Sequence, residues 1–146
     1  MAGIVFDTSV YISAFRQGDA AILDLRRAGR AGDGSSQPLW LSAVVLAELL
    51  IGAGDKKARK HLLETEKEFG RVKRILVPSQ SDWRLTGEVL SLLGKRYGYE
   101  QVGRARMIND GLISMRAARN GFTVLTKNPE DFKRIAEFRP FSWTQI

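Results

Sequence analysis

The sequence predicts an α/β protein: a central, mainly parallel sheet of four or five strands with helices on both faces. Three observations lead there. Short apolar, β-branched runs alternate with helical stretches along the whole chain, the pattern of parallel strands joined by helical crossovers. The first run, Ile4-Val5-Phe6, is unbroken by polar residues, which suits a strand covered on both faces. The 146 residues are enough for one sizeable core and show neither a domain linker nor an internal repeat, so residues 1–146 are expected to form a single domain.

The elements follow in order. After Asp7, residues 8–15 read as a short helix that Thr8 or Ser9 caps. Gly18-Asp19 ends it, and Asp19 suits the cap of a second helix to about Ala28, with Arg26 and Arg27 in its last turn. Gly29 to Gln37 is a Gly- and Ser-rich loop. Pro38-Leu39-Trp40-Leu41 is a strand, and Ser42 caps an apolar helix over 43–51, stopped by Gly52 and Gly54. Residues 55–70 make a charged amphipathic helix with Leu62, Leu63 and Phe69 on its apolar side. Val72 to Val77 is a third strand, closed by Pro78. A helix over 79–97 offers Trp83, Leu85, Val89, Leu90, Leu92 and Leu93 to the core. A turn at 98–103 leads into a helix over 104–120, ended by Asn120-Gly121. Phe122 to Thr126 is a fourth strand, a last helix opens at Asn128-Pro129 and reaches about Phe138, and 140–143 adds a terminal strand.

Composition narrows the function classes. There is no cysteine, which removes disulfides, zinc-thiolate sites and cysteine nucleophiles. The N-terminus lacks a signal peptide's basic and apolar regions, and no run approaches a membrane span, so the expectation is a soluble cytoplasmic protein. A formal net charge of +7 favours a polyanionic partner, most often nucleic acid. Lys56 to Arg74 is rich in base but carries Glu64, Glu66 and Glu68, so it reads as a solvated face. Trp40, Trp83 and Trp143 lie in apolar patterns and read as core or interface.

On so basic a chain the placed acids stand out. Asp7 falls at the carboxyl end of the first strand, where ligand crevices of open α/β sheets lie. Glu48 is the sole charge in the apolar helix over 43–51, which reads as buried nearly all round. An unpaired carboxylate there is too costly, so Glu48 is either ion-paired to an arginine or holds a metal. Asp110 and Ser114, one turn apart, form a polar notch in the helix over 104–120, suited to a site or to a polar core network. Thr126-Lys127-Asn128-Pro129-Glu130-Asp131 follows the fourth strand; helix capping by Asn128 explains part of it.

In this order, Val5-Phe6-Asp7-Thr8-Ser9, Ser42 to Leu49 with Gly52, Asn109-Asp110-Gly111-Leu112-Ile113 and Leu125 to Phe132 resemble the PIN-domain ribonucleases, specifically the toxins of VapBC toxin–antitoxin pairs. The resemblance implies a PIN-like three-layer α/β/α sandwich and an endoribonuclease that needs Mg²⁺ or Mn²⁺. It implies that Asp7, Glu48 and Asp110 bind the metal. Many members have a fourth acid near the place of Asn128 or Asp131; Asn128 is neutral here, so the role falls to Asp131 or is weaker in this chain. Thr126, Ser9 and Asn128 are expected to hydrogen-bond the ligating carboxylates. Arg104, Arg106, Arg116, Arg119 and Lys127 are the candidates for holding the RNA backbone. The implied reaction is in-line hydrolysis of an RNA phosphodiester to 5′-phosphate and 3′-hydroxyl ends. The implied partners are RNA, a cognate antitoxin that blocks the acidic pocket and covers apolar grooves between helices, and a second copy in a homodimer. Two other readings fit less well. An aspartyl phosphatase built on Asp7 wants a second acid two residues on, where Ser9 stands. A catalytically silent PIN-like scaffold has no need of all three acids. His61, the sole histidine, sits in the charged helix, which argues against a histidine-dependent ribonuclease.

Overall fold

The computed structural model describes residues 2–18 and 37–146. The helix expected over 19–28 and nearly all of the loop at 29–37 lie outside the described residues. Within them run β1 (Ile4–Phe6), α1 (Thr8–Gln17), β2 (Leu39–Ser42), α2 (Ala43–Gly52), α3 (Lys56–Arg71), β3 (Ile75–Leu76), α4 (Gln80–Tyr97), the one-turn α5 (Tyr99–Val102), α6 (Ala105–Asn120), β4 (Thr123–Thr126), α7 (Pro129–Phe138) and β5 (Trp143–Gln145).

The strands form one sheet in the order β3-β2-β1-β4-β5. Every pairing is parallel, with Val5 opposite Trp40 on one side and Val124 on the other. The chain winds outward from β1 through β2 to β3, then crosses back to β4 and β5. The order therefore reverses between β1 and β4, and a crevice opens at the carboxyl ends of those two strands. Val5, Leu41 and Val124 are buried in one apolar cluster with Val45, Ile113 and Phe132, while Val89, Leu93, Met107, Met115 and Ile135 form a second beneath α4, α6 and α7.

The sandwich is the architecture expected, with local differences. Asp7, not Thr8 or Ser9, caps α1. The strand expected over 72–77 shrinks to two residues because Val72 and Lys73 finish the turn after α3. Lys73 takes a left-handed φ of 56° there, and Arg74 N–H bonds back to the Phe69 carbonyl. The turn at 98–103 contains α5, and Gly94 leaves room for the Tyr99 ring: a Cβ there would stand 2.4 Å from it.

Two helices face differently from expectation. α4 buries Asp82, Thr86, Val89, Leu90, Leu93 and Gly94, so Trp83 and Leu92 point outward, Trp83 at 56% exposure. Two polar residues occupy the inner stripe, and an apolar count alone selects the wrong one. α2 is not buried all round: Val45, Leu46 and Leu49 face inward while Ile51 is 86% exposed.

Candidate active site

Asp7 sits at the reversal point with only 4% of its surface exposed. Its carboxylate is fixed by three donors. Oδ1 accepts from Ser9 Oγ at 2.5 Å and from Val10 N–H at 3.3 Å, and Oδ2 accepts from Thr126 Oγ1 at 2.6 Å. The same two hydroxyls tie down the turn after β4: Lys127 N–H donates to Ser9 Oγ and Asn128 N–H to Thr126 Oγ1, each at 2.9 Å. The α1 cap and the β4–α7 turn are thereby one hydrogen-bonded unit, with two strand ends held against each other by short polar side chains.

Glu48 reaches this unit from α2. Thr8 Oγ1 donates to Glu48 Oε1 at 2.7 Å, so the residue after Asp7 positions a second acid 40 residues away in sequence. Sequence reasoning treated Thr8 only as a cap. Its place directly after the strand-end acid was the available signal.

Asp110 completes the group from the buried face of α6, with 7% of its surface exposed. Its carboxyl is pushed up to about 8, first by burial and then by the negative charges of Asp131, Glu48 and Asp7, with Arg106 opposing. The other three acids named from the sequence thus all act on Asp110, at one edge of the sheet. Ser114 is not part of that electrostatic group: its hydroxyl donates to the Asp110 backbone carbonyl at 2.7 Å, an ordinary intrahelical bond. Gly111 lets α6 close on α4, since a Cβ there would lie 2.6 Å from Thr86 Cγ2.

The group is gathered but not closed. Among the described residues, no three acid or histidine side chains stand as a finished cage for a metal ion. The donors are all carboxylate and hydroxyl oxygens, the set that hard divalent cations take. Mutual repulsion at Asp110 is what a cation would relieve. On donor chemistry the residues fit such an ion, and drawing Asp7, Glu48 and Asp110 onto it requires side-chain adjustment.

The remaining candidates divide. Asn128 stands at the head of α7 but its side chain makes no capping bond; its backbone N–H carries its contribution. Asp131, in the first turn of α7, faces Arg106, whose Nε is 3.8 Å from its Oδ2. Arg104, Arg106 and Lys127 lie near the acids in the chain and in space. Arg116 and Arg119 do not join them. They are paired to the fully buried Asp82, at 3.6 and 3.5 Å, toward the other end of α6. Arg134, missed from sequence, shares a cavity with Arg104 and Arg106; its place three residues after Asp131 on α7 was the clue.

Comparison with known proteins agrees with this fold. No match is found among curated protein sequences. Among solved structures, a DNA-bound VapBC from Salmonella typhimurium is similar at a TM-score of 0.67 and 19% identity, covering 99% of this chain and 98% of that one. A VapBC2 from Rickettsia felis bound to a promoter DNA fragment gives 0.64 and 22%, covering 98% of each chain. VapBC-1 from nontypeable Haemophilus influenzae gives 0.64 and 21%, covering 97% and 96%. At such identities the likeness is one of fold. The family model of the PIN domain matches residues 4–138, which takes in every acid described above, and the chain belongs to that family.

Proposed function

We propose that this protein is a metal-dependent endoribonuclease and the toxin of a toxin–antitoxin pair. The observation that carries the reading is Asp110: a buried carboxyl at the meeting of Asp131, Glu48 and Asp7, pushed up to about 8 in a protein of net charge +7. Uncompensated acids are costly to gather at one edge of a basic protein, and perturbed groups of this kind concentrate at functional sites. Asp7, Glu48 and Asp110 would hold Mg²⁺ or Mn²⁺, with Asp131 beside them. When bound, the ion supplies charge for the developing phosphorane oxygens and makes a water easier to deprotonate. Ser9 and Thr126 keep the Asp7 carboxylate from turning, Thr8 does the same for Glu48, and Arg104, Arg106 and Lys127 hold the RNA backbone outside the negative pocket.

The toxin half rests on the fold shared with VapBC proteins. The scaffold reading draws on one observation, the absence of a finished metal cage among the described residues. Asp7→Asn separates the two. Incubated with RNA and Mn²⁺, the wild type should cut and the variant should not, with circular dichroism showing both folded. An inactive wild type that still binds its partner favours the scaffold.

A further inference from the structure

α3 reads from sequence as a solvated face because Glu64, Glu66 and Glu68 are mixed with its bases; in the fold the two signs separate. Leu62 is buried and Phe69 packs against the core. The exposed side of the helix presents Lys56, Arg59, Lys60 and Lys67, related by one-turn and two-turn steps. These four line one surface depression of about 340 Å³ with Leu63 and Glu64, while Glu66 and Glu68 lie outside it. Arg71, exposed one turn beyond Lys67, continues the row. The 16 residues of α3 give it a length of roughly 24 Å. Among the described residues none of these five cations makes an ion pair.

The placement costs the chain stability on its own. The first turn of α3 holds Lys56, Lys57 and Arg59 and no acid, although the positive end of the helix dipole lies there. Asp55 opposes them from the cap, where it accepts from Ala58 N–H at 2.7 Å. Unpaired like charges in one row also repel one another until an anion arrives. A solvated face gains nothing from this arrangement, whereas a polyanion with closely spaced charges offsets it. Leu63, at 37% exposure, is the one large apolar residue lining the depression. The surface therefore offers little to the side chains of an acidic peptide and much to a phosphate backbone.

We propose that the exposed face of α3 is an anchoring surface for the phosphate backbone of duplex RNA, holding a stem of the substrate away from the bond that is cut. α3 packs against β2 and β3, while Asp7 stands at the reversal between β1 and β4. The proposal rests on the ribonuclease reading for the bound RNA being a substrate.

The test uses the whole chain in EDTA and a short fluorescent RNA duplex, with anisotropy read across a salt series. A double variant, Arg59→Ala with Lys60→Ala, is compared with the wild type and with Lys95→Ala plus Arg139→Ala, which removes two exposed cations elsewhere. The α3 variant should bind roughly tenfold more weakly and lower the slope of log affinity against log salt by about 1.8, while the control pair changes neither appreciably. Lys56→Glu should weaken binding further yet raise the melting temperature by about a degree or more, because it relieves the dipole. Wild-type affinity and slope in the α3 variant overturn the surface, as does an equal loss in the control pair, which marks a diffuse effect of net charge. A DNA duplex bound more tightly than the RNA one, or polyglutamate that displaces the RNA at equal charge, overturns RNA as the occupant. Cleavage of an RNA hairpin in Mn²⁺ is read separately. A wild type that binds the duplex through α3 and cuts nothing overturns the ribonuclease reading alone. A wild type that cuts, with KM unchanged in the α3 variant, overturns the surface alone.

Discussion

Asp7 carries two duties, capping α1 and presenting a carboxylate, and Thr126 decides whether the second is met. Thr126→Val keeps the shape but removes the donor to Asp7 Oδ2, leaving that oxygen without its 2.6 Å bond. Loss of such an orienting partner typically costs ten- to a hundredfold in activity. A cleavage assay on Thr126→Val should show that loss with little change in RNA affinity. Asp110 makes a different prediction. Its carboxyl holds a proton far more tightly folded, at about 8, than at its ordinary value of 3.8. The proton-bound form therefore contributes stability fully below about pH 4, and the contribution is lost as pH rises through about 8. In chelated protein the melting temperature should fall across that window, while Asp110→Asn, which does not titrate, stays flat and overtakes the wild type by several degrees at the alkaline end. Added Mg²⁺ should remove the gap by favouring the ionised carboxylate. A thermal-shift series at three pH values checks both. Asp7, Glu48 and Asp110 were legible in the sequence because each interrupts an apolar run. Thr8 and Arg134 were not, because a hydroxyl after a strand and an arginine on a helix look the same with or without a site.

The elements hold the acids in place through two close approaches. α6 carries Asp110 and lies against α4 only because Gly111 has no side chain facing Thr86. Gly111→Ala forces a methyl to 2.6 Å from Thr86 Cγ2 and should cost about 1–3 kcal/mol, by urea unfolding, while also lowering cleavage. Farther along, Asp82 holds Arg116 and Arg119 and closes the Ser79 capping box. Asp82→Ala should cost about 2 kcal/mol or more, since it strips a buried acid from partly buried partners and removes a cap, yet the melted fraction should account for any lost activity. Helix order and strand alternation were readable from apolar spacing and glycine stops. The inner face of α4 was not, because Asp82 and Thr86 occupy it and their partners lie on another helix. The role of Arg116 and Arg119 was hidden for the same reason: their sequence neighbours point to the active site, and their spatial neighbour does not.

At the scale of the molecule, a chain of net charge +7 gathers acids at one edge of its sheet. That charge favours a polyanionic partner, and on the proposed reading the acids at the β1–β4 reversal repel an RNA strand until cations intervene. The parallel sheet was foreseeable because β1, β2 and β4 are short, apolar and separated by helices; its strand order was not, since spacing along the chain does not say which strands pair. The lack of a ready-made cage was not, because ligand closure depends on side-chain rotation that residue types do not specify. The central claim is that Asp7, Glu48 and Asp110 act together through a shared cation on RNA. Its most direct measurement is isothermal titration of Mn²⁺ into chelator-stripped protein with RNA hydrolysis followed on the same samples. One saturable cation site that vanishes in Asp7→Asn, with strand scission appearing and disappearing alongside it, is the result this account requires. Scission that continues in stripped protein, or a cation bound equally well by Asp7→Asn, contradicts it.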